Sequence, residues 1–219
     1  MPGGDAAIRE PFRMAMAHLL DAGEDVEAVL HRIPARSRQI ITKMIERQVN
    51  APLTSSMGRL FDAIASLCGI RDRASYEGQA AIELEWQATG ALPGDDRYPF
   101  SFDGKMIDTR PLVSAVVRDV RQAVSIGAIA RRFHSTVTAM TVTACDQIRR
   151  NNGLRDVVLS GGCFQNALML VETMAALSRR GFRVHRHRRV PPNDGGLCLG
   201  QLAVTAARLE SERGSPTCA

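Results

Sequence analysis

Between Val157 and Gln201 the chain reads as strand, glycine turn, helix, strand, glycine loop, helix, and no other stretch restricts the fold as much. Val157 to Ser160 has the composition of a short buried strand, and Gly161-Gly162 makes a turn. From Phe164 to Arg180 the residues Phe164, Leu168, Val171, Met174 and Leu177 recur on one helical face, and Gly181 ends that helix. Phe182 to His187 is the next strand, and Pro191-Pro192-Asn193-Asp194-Gly195-Gly196 leads into a last helix that ends near Glu210. Two strands joined through a helix run parallel, so this part is an α/β unit. Ligands of such units sit at the carboxyl ends of the strands, where loops meet helix N-termini with free N–H groups. Ser160-Gly161-Gly162 and Asn193 to Gly196 both fall at such ends, which predicts two glycine bends side by side on one rim, with Asn166 and Asp194 facing a common hollow.

Each of these residues has two readings. Paired glycines let a ligand reach the backbone, or they simply make short connections. Asn166 can turn its amide toward a ribose or base. Asp194, on a loop stiffened by two prolines, suits a metal or an orienting hydrogen bond, and equally suits a helix N-cap. Cys163 beside the glycines is either a thiol activated at a helix N-terminus or a small buried side chain, and no neighbouring base favours the first.

Upstream, helical spacing covers about Glu10 to Leu20, with Pro11 in the first turn and Gly23 at the end, then Arg36 to Gln48 and Ser56 to Cys68. A fourth helix is expected over Tyr76 to Ala88. In Thr54 to Asp62 the hydroxyls read as a cap and Asp62 as a solvated helix residue. Leu92 to Arg110 reads as a β-hairpin turning at Asp103-Gly104. Two long helices follow, about Pro111 to Ser125 and Ala128 to Arg150, with Gly127 between them. His185 and His187 alternate on what reads as an edge strand with its polar side in water, and no pair of histidines has HxxxH spacing.

Charge and cysteines exclude several classes. The formal charge is +5, but the arginines are scattered, and two tyrosines and one tryptophan leave no basic stripe interleaved with aromatics. Nucleic-acid binding is not expected. Five cysteines without a CxxC pair indicate neither a disulfide framework nor a zinc site, and so a reducing compartment. No apolar stretch approaches the ~18 residues that span a bilayer, and the start lacks a secretory signal's apolar core, so a cytoplasmic protein is expected.

Five stretches, PGGDAAIREPFRMA (2 to 15), TSSMGRLFDAIASLCGI (54 to 70), SYEGQAAIELE (75 to 85), LSGGCFQNALML (159 to 170) and RRVPPNDGGLCLGQ (188 to 201), closely resemble the C-terminal part of HypF-type carbamoyltransferases of [NiFe]-hydrogenase maturation. The resemblance implies the second lobe of an actin-like ATPase fold, α/β in class and helix-rich with a small mixed sheet. It divides the chain into a helical part (1 to 90), a hairpin (91 to 110), a nucleotide-binding α/β part (111 to 210) and a disordered tail (211 to 219). In that family carbamoyl phosphate and ATP give a carbamoyl-adenylate, and the carbamoyl group passes to the C-terminal cysteine of the partner HypE. By similarity Asp62 and Gly78 contact the nucleoside, Ser160, Gly161, Gly162 and Asn166 hold the adenylate, and Asp194 completes a site for a divalent metal, iron or zinc. Position 163 is cysteine where the family has a branched apolar residue.

The resemblance also implies an acylphosphatase-like domain, zinc-finger-like cysteine motifs, an adenylate-forming domain and a first lobe with an HxxxH pair, none of which occurs in these 219 residues. The chain is therefore expected to be a truncated product or a fragment, pairing with a separate N-terminal HypF polypeptide, with HypE, or with a second copy of itself. An enzyme part that transfers carbamoyl when completed, an interaction module without turnover, and a remnant that does neither all remain open.

Overall fold

The structure, a computed structural model, describes residues 1–91 and 96–213. Six helices come first: α1 (Ala6–Arg9), α2 (Phe12–Asp21), α3 (Val26–Leu30), α4 (Ala35–Glu46), α5 (Met57–Leu67) and α6 (Gln79–Thr89). Strands β1 (Ser101–Phe102) and β2 (Ile107–Asp108) pair antiparallel, and helices α7 (Arg110–Arg121) and α8 (Ile126–Asn152) follow. Then come β3 (Asp156–Leu159), α9 (Ala167–Arg179), β4 (Arg183–Arg186) and α10 (Leu197–Arg213), with 3₁₀ turns at Gly162–Gln165 and Asp194–Gly196. Strands β3 and β4 run parallel, with Val157 opposite Val184 and Leu159 opposite Arg186. The antiparallel and parallel pairings thus sit in two separate two-stranded sheets.

Helix α5 is the hub, because it is apolar on nearly every side and every residue from Leu60 to Leu67 is buried. A helix of that kind is stable only inside a shell of others. Here α2, α6 and α7 pack round it. The main core gathers Phe12, Met16, Leu19, Phe61, Ile64, Leu84, Leu112, Val116 and Phe133, and truncating the fully buried Phe133 to alanine would cost about 3–5 kcal/mol. The long helix α8 crosses from α6 to α9 and enters a second, smaller core of Val142, Leu159, Leu177 and Phe182 under the parallel pair. Arg38, almost buried, closes the exit of α3: it donates to the carbonyls of Leu30, His31 and Ile33 and pairs with both carboxylate oxygens of Glu27.

Several sequence expectations shift for local reasons. Helix α6 starts at Gln79, not Tyr76, because Gly78 takes a left-handed conformation (φ +79°) at its N-cap. The break between the two long helices falls at Ala123 (φ +53°), whereas Gly127 lies inside α8. A side chain on Gly127 would approach the Gln87 carbonyl to 3.2 Å, so there glycine permits close helix contact. Strand β3 is only half buried, with Val158 65% exposed, and Val171 of α9 faces water. Ser211 to Arg213, predicted as tail, continue α10; the tail beyond Arg213 and Leu92 to Asp95, where the predicted hairpin begins, lie outside the described residues.

Candidate functional site

The two glycine bends meet. The Gly161 N–H donates to the Pro192 carbonyl at 2.7 Å, the Ser160 hydroxyl reaches the same oxygen at 3.4 Å, and His187 Nε2 lies 3.0 Å from Ser160 Oγ. The two loops that leave the carboxyl ends of β3 and β4 are therefore joined through backbone. Gly161 has φ +101° and ψ 159°, a region essentially restricted to glycine. Gly162 differs: a Cβ there would meet no atom within 4 Å, its φ is ordinary, and its N–H has no hydrogen-bond partner among the described residues. Nothing in the chain itself requires glycine at 162. On the other loop, a Cβ at Gly196 would stand 2.6 Å from the Pro191 carbonyl oxygen, so that glycine is demanded by packing.

Asn166 caps α9, its Oδ1 accepting from the Met169 N–H at 2.8 Å. Its Nδ2 donates to His134 Nε2 at 2.9 Å, and His134 Nδ1 in turn donates to the Ala130 carbonyl at 2.8 Å. His134 is wholly buried among Phe61 and Phe133, and burial lowers its pKa, so it sits there as the neutral ring this chain of donors requires. One hydrogen and one lone pair of the Asn166 amide are thus spent inside the protein. The first N–H groups of α9 are taken as well: Glu85 of α6 accepts from Ala167 at 2.7 Å and from Leu168 at 3.2 Å. A carboxylate from another helix neutralises the dipole of α9, and among the described residues the Gly162 N–H is one of the donors still open on this side of the rim.

Beneath the 3₁₀ turn lies α5, which packs against it. Asp62 is not solvated: its side chain is 4% exposed and pairs with Arg59 at 2.9 Å, at an angle that makes no proper hydrogen bond. Burial pushes its carboxyl up to about 6, against the pull of Arg59 and with a contribution from Glu77, next to Gly78. The charges of Arg59 and Asp62 also reach Cys163, whose thiol burial raises above its ordinary range. Cys163 is therefore half-buried packing and not an activated nucleophile. Asp62 thus lies within electrostatic reach of Glu77, the residue before Gly78, on the helix that packs against the 160s turn.

The raised Asp62 pKa has a signed consequence. The native carboxyl holds its proton to about pH 6 and the unfolded one only to about 3.8, so the native state binds more protons in between and loses stability as pH rises through that window. The displacement corresponds to at most about 3 kcal/mol. Asp62→Asn should gain on the parent chain between pH 4 and 6.5 in thermal denaturation, and a difference that stays flat with pH would show that Asp62 titrates normally.

Asp194 is exposed at the start of its 3₁₀ turn. Asn193, not Asp194, provides the cap, accepting from the Gly195 N–H at 3.1 Å, so the capping reading of Asp194 fails and its carboxylate has no ion pair or side-chain hydrogen bond among the described residues. No group of three His, Cys, Asp or Glu side chains that could hold a metal occurs among the described residues. A single carboxylate leaves most coordination positions to water, so these residues alone do not make a metal centre. Cys68, Cys145, Cys163 and Cys198 are free thiols, and no helix is long and apolar enough to cross a membrane among the described residues.

Two residues that position this rim were given no role by the sequence: His134 lies in none of the five stretches, and Glu85 only ends the third of them. Glu85 acts across 82 residues of sequence and His134 across 32. A histidine inside the buried stripe of α8 was the available signal, whereas Glu85 shares its turn of α6 with Glu83 and does not stand out.

Residues 1–201 match the family described as carbamoyltransferase, Kae1-like domain, second subdomain. The chain is 37% identical over 221 residues to the carbamoyltransferase HypF of Synechocystis sp., covering 91% of this chain and 28% of that protein. It is 36% identical over 238 residues to the carbamoyltransferase HypF2 of Cupriavidus necator, covering 95% and 29%. Among solved structures it is similar to full-length HypF in the phosphate- and nucleotide-bound form, with a TM-score of 0.87 at 34% identity over 96% of this chain and 28% of that one. The chain spans less than a third of the length of these relatives.

Proposed function

The chain belongs to the HypF carbamoyltransferase family, and from that we propose that it is the second lobe of a transfer domain that binds ATP or a carbamoyl-adenylate at the joined glycine loops. Completed by a first lobe that carries an HxxxH pair, it passes the carbamoyl group to the C-terminal cysteine of a HypE-type partner in hydrogenase maturation. The observation that carries the reading is the contrast within one turn. Gly161 is fixed by its own backbone and its bond to Pro192, whereas Gly162 is a glycine with open space where a side chain would be and an unspent N–H. Glycine at such a position serves something outside the chain that comes close to the backbone.

In this reading the Gly162 N–H donates to a phosphate or carbamoyl oxygen, the kind of fixed donor that stabilises developing negative charge. Ser160 and the Gly161 backbone hold the turn, and Asp62 with Gly78 closes the nucleoside side. Asn166 contributes through the hydrogen and the lone pair left over from His134 and Met169. Asp194 offers one carboxylate to a divalent cation, iron or zinc, whose remaining ligands must come from another lobe. A bound cation would supply charge neutralisation at the phosphates.

Gly162→Ala tests this without disturbing the fold. Its stability should stay within ~0.5 kcal/mol of the parent, since the added methyl meets nothing. Affinity for ATP in titration calorimetry should fall about tenfold or more. Unchanged affinity would remove the nucleotide from this turn. The second reading, an interaction module that binds nucleotide or HypE without turnover, is favoured by the lone carboxylate of Asp194. Mixing the chain with the polypeptide that carries the HxxxH lobe and testing for carbamoylated HypE separates the two.

A further inference from the structure

Away from the glycine rim, a cavity of about 260 Å³ opens between the second halves of α8 and α9 and is bordered by the segment that leads into Tyr98. Three arginines, Arg97, Arg179 and Arg180, are among the residues that line it. Thr138 and Thr143 of α8 line it with Val142 between them, the Thr138 hydroxyl lying 3.5 Å from that of Thr173. Of the arginines, Arg180 is engaged with Asp146, which also takes Arg149. Arg97 and Arg179 make no ion pair and no side-chain hydrogen bond among the described residues.

Asp146 meets the charge of Arg180, but Arg97 and Arg179 have no such partner among the described residues, and like charges at one hollow repel each other. Here the three come from two separate parts of the chain, the loop before Tyr98 and the last turn of α9, and converge on hydroxyl donors. The cavity thus holds many hydrogen-bond donors and very few acceptors, which is the complement of an oxyanion. A carboxylate is planar, and two oxygens can be satisfied by one guanidinium. A phosphate presents three or four oxygens in a tetrahedron and takes donors from several directions at once. From this geometry we propose that the cavity is a second anion site, for the phosphate group of a small phosphorylated molecule, separate from the glycine rim. Arg97 and Arg179 grip the phosphate from opposite borders, and Thr138 and Thr143 donate from the wall.

The test is amide chemical-shift mapping of the 219-residue chain titrated with inorganic phosphate, and in parallel with acetate. Saturable shifts at Ala139, Val142 and Ala176 are expected with phosphate, at least tenfold weaker with acetate, and lost in the Arg97→Ala/Arg179→Ala double variant. Both side chains are exposed, so that variant should keep the parent's thermal stability. Its response to ATP at Gly161 and Gly162 should also persist, and failure of the nucleotide reading would leave the phosphate shifts on α8 and α9 untouched. No saturable shift at the three positions, shifts that survive the double substitution, or acetate binding as tightly as phosphate would each overturn the proposal.

Discussion

Gly161→Ala is expected to lower ATP affinity about a hundredfold, about 2.7 kcal/mol of binding, and to cost the fold about 1–3 kcal/mol. With φ +101° and ψ 159°, alanine at 161 must rotate the peptide or carry the strain. Either response moves the N–H that holds Pro192 at 2.7 Å. The two loops then part, and the Gly162 N–H swings with them. For a chain of this size the melting temperature should drop by about 2–4 °C per kcal/mol, so binding measured at 20 °C still concerns folded protein. Gly196→Ala pushes on the same joint from the other side, because its methyl would lie 2.6 Å from the Pro191 carbonyl oxygen. It should reproduce the affinity loss. Circular dichroism establishes folding and calorimetry the affinity; parent-like ATP binding by a folded Gly161→Ala chain would mean that nucleotide binding does not depend on the joined loops.

Asp194→Ala should divide the two properties cleanly. Stability stays within ~0.5 kcal/mol, since the carboxylate is exposed and Asn193 does the capping. Carbamoyl transfer, restored by the first-lobe polypeptide, falls about a thousandfold or more, in the range of losing a principal charged group from an active site. The control is its neighbour: Asn193→Ala loses the cap and about 1 kcal/mol but keeps the rim carboxylate. If the Asp194 variant still transfers, this residue has no part in the reaction.

The alternation of strands and glycine bends in the last third of the sequence made the parallel pair and the meeting of the two loops legible, because local patterning and chain connectivity decide both. Helix ends were read well where a glycine or proline punctuated them, as at Gly23 and Pro11. They were misread where a bend needed no such residue, as at Ala123. The state of Asp62 was not legible, since its spacing on α5 is that of a solvated residue until α6 and the 160s turn close over it. Likewise the inward turn of Asn166 depends on His134, and the occupied N-terminus of α9 on Glu85, both set by tertiary packing.

Helix α10 stands off the body, and from Leu197 to Ser211 every residue is exposed, including Leu197, Leu199, Leu202, Val204 and Leu209. Cellular quality control reads aliphatic side chains in water as the mark of a chain that has failed to finish folding. Covering that helix against another surface would take five aliphatic side chains out of water at once, so α10 is where docking would change the exposure of this fold most.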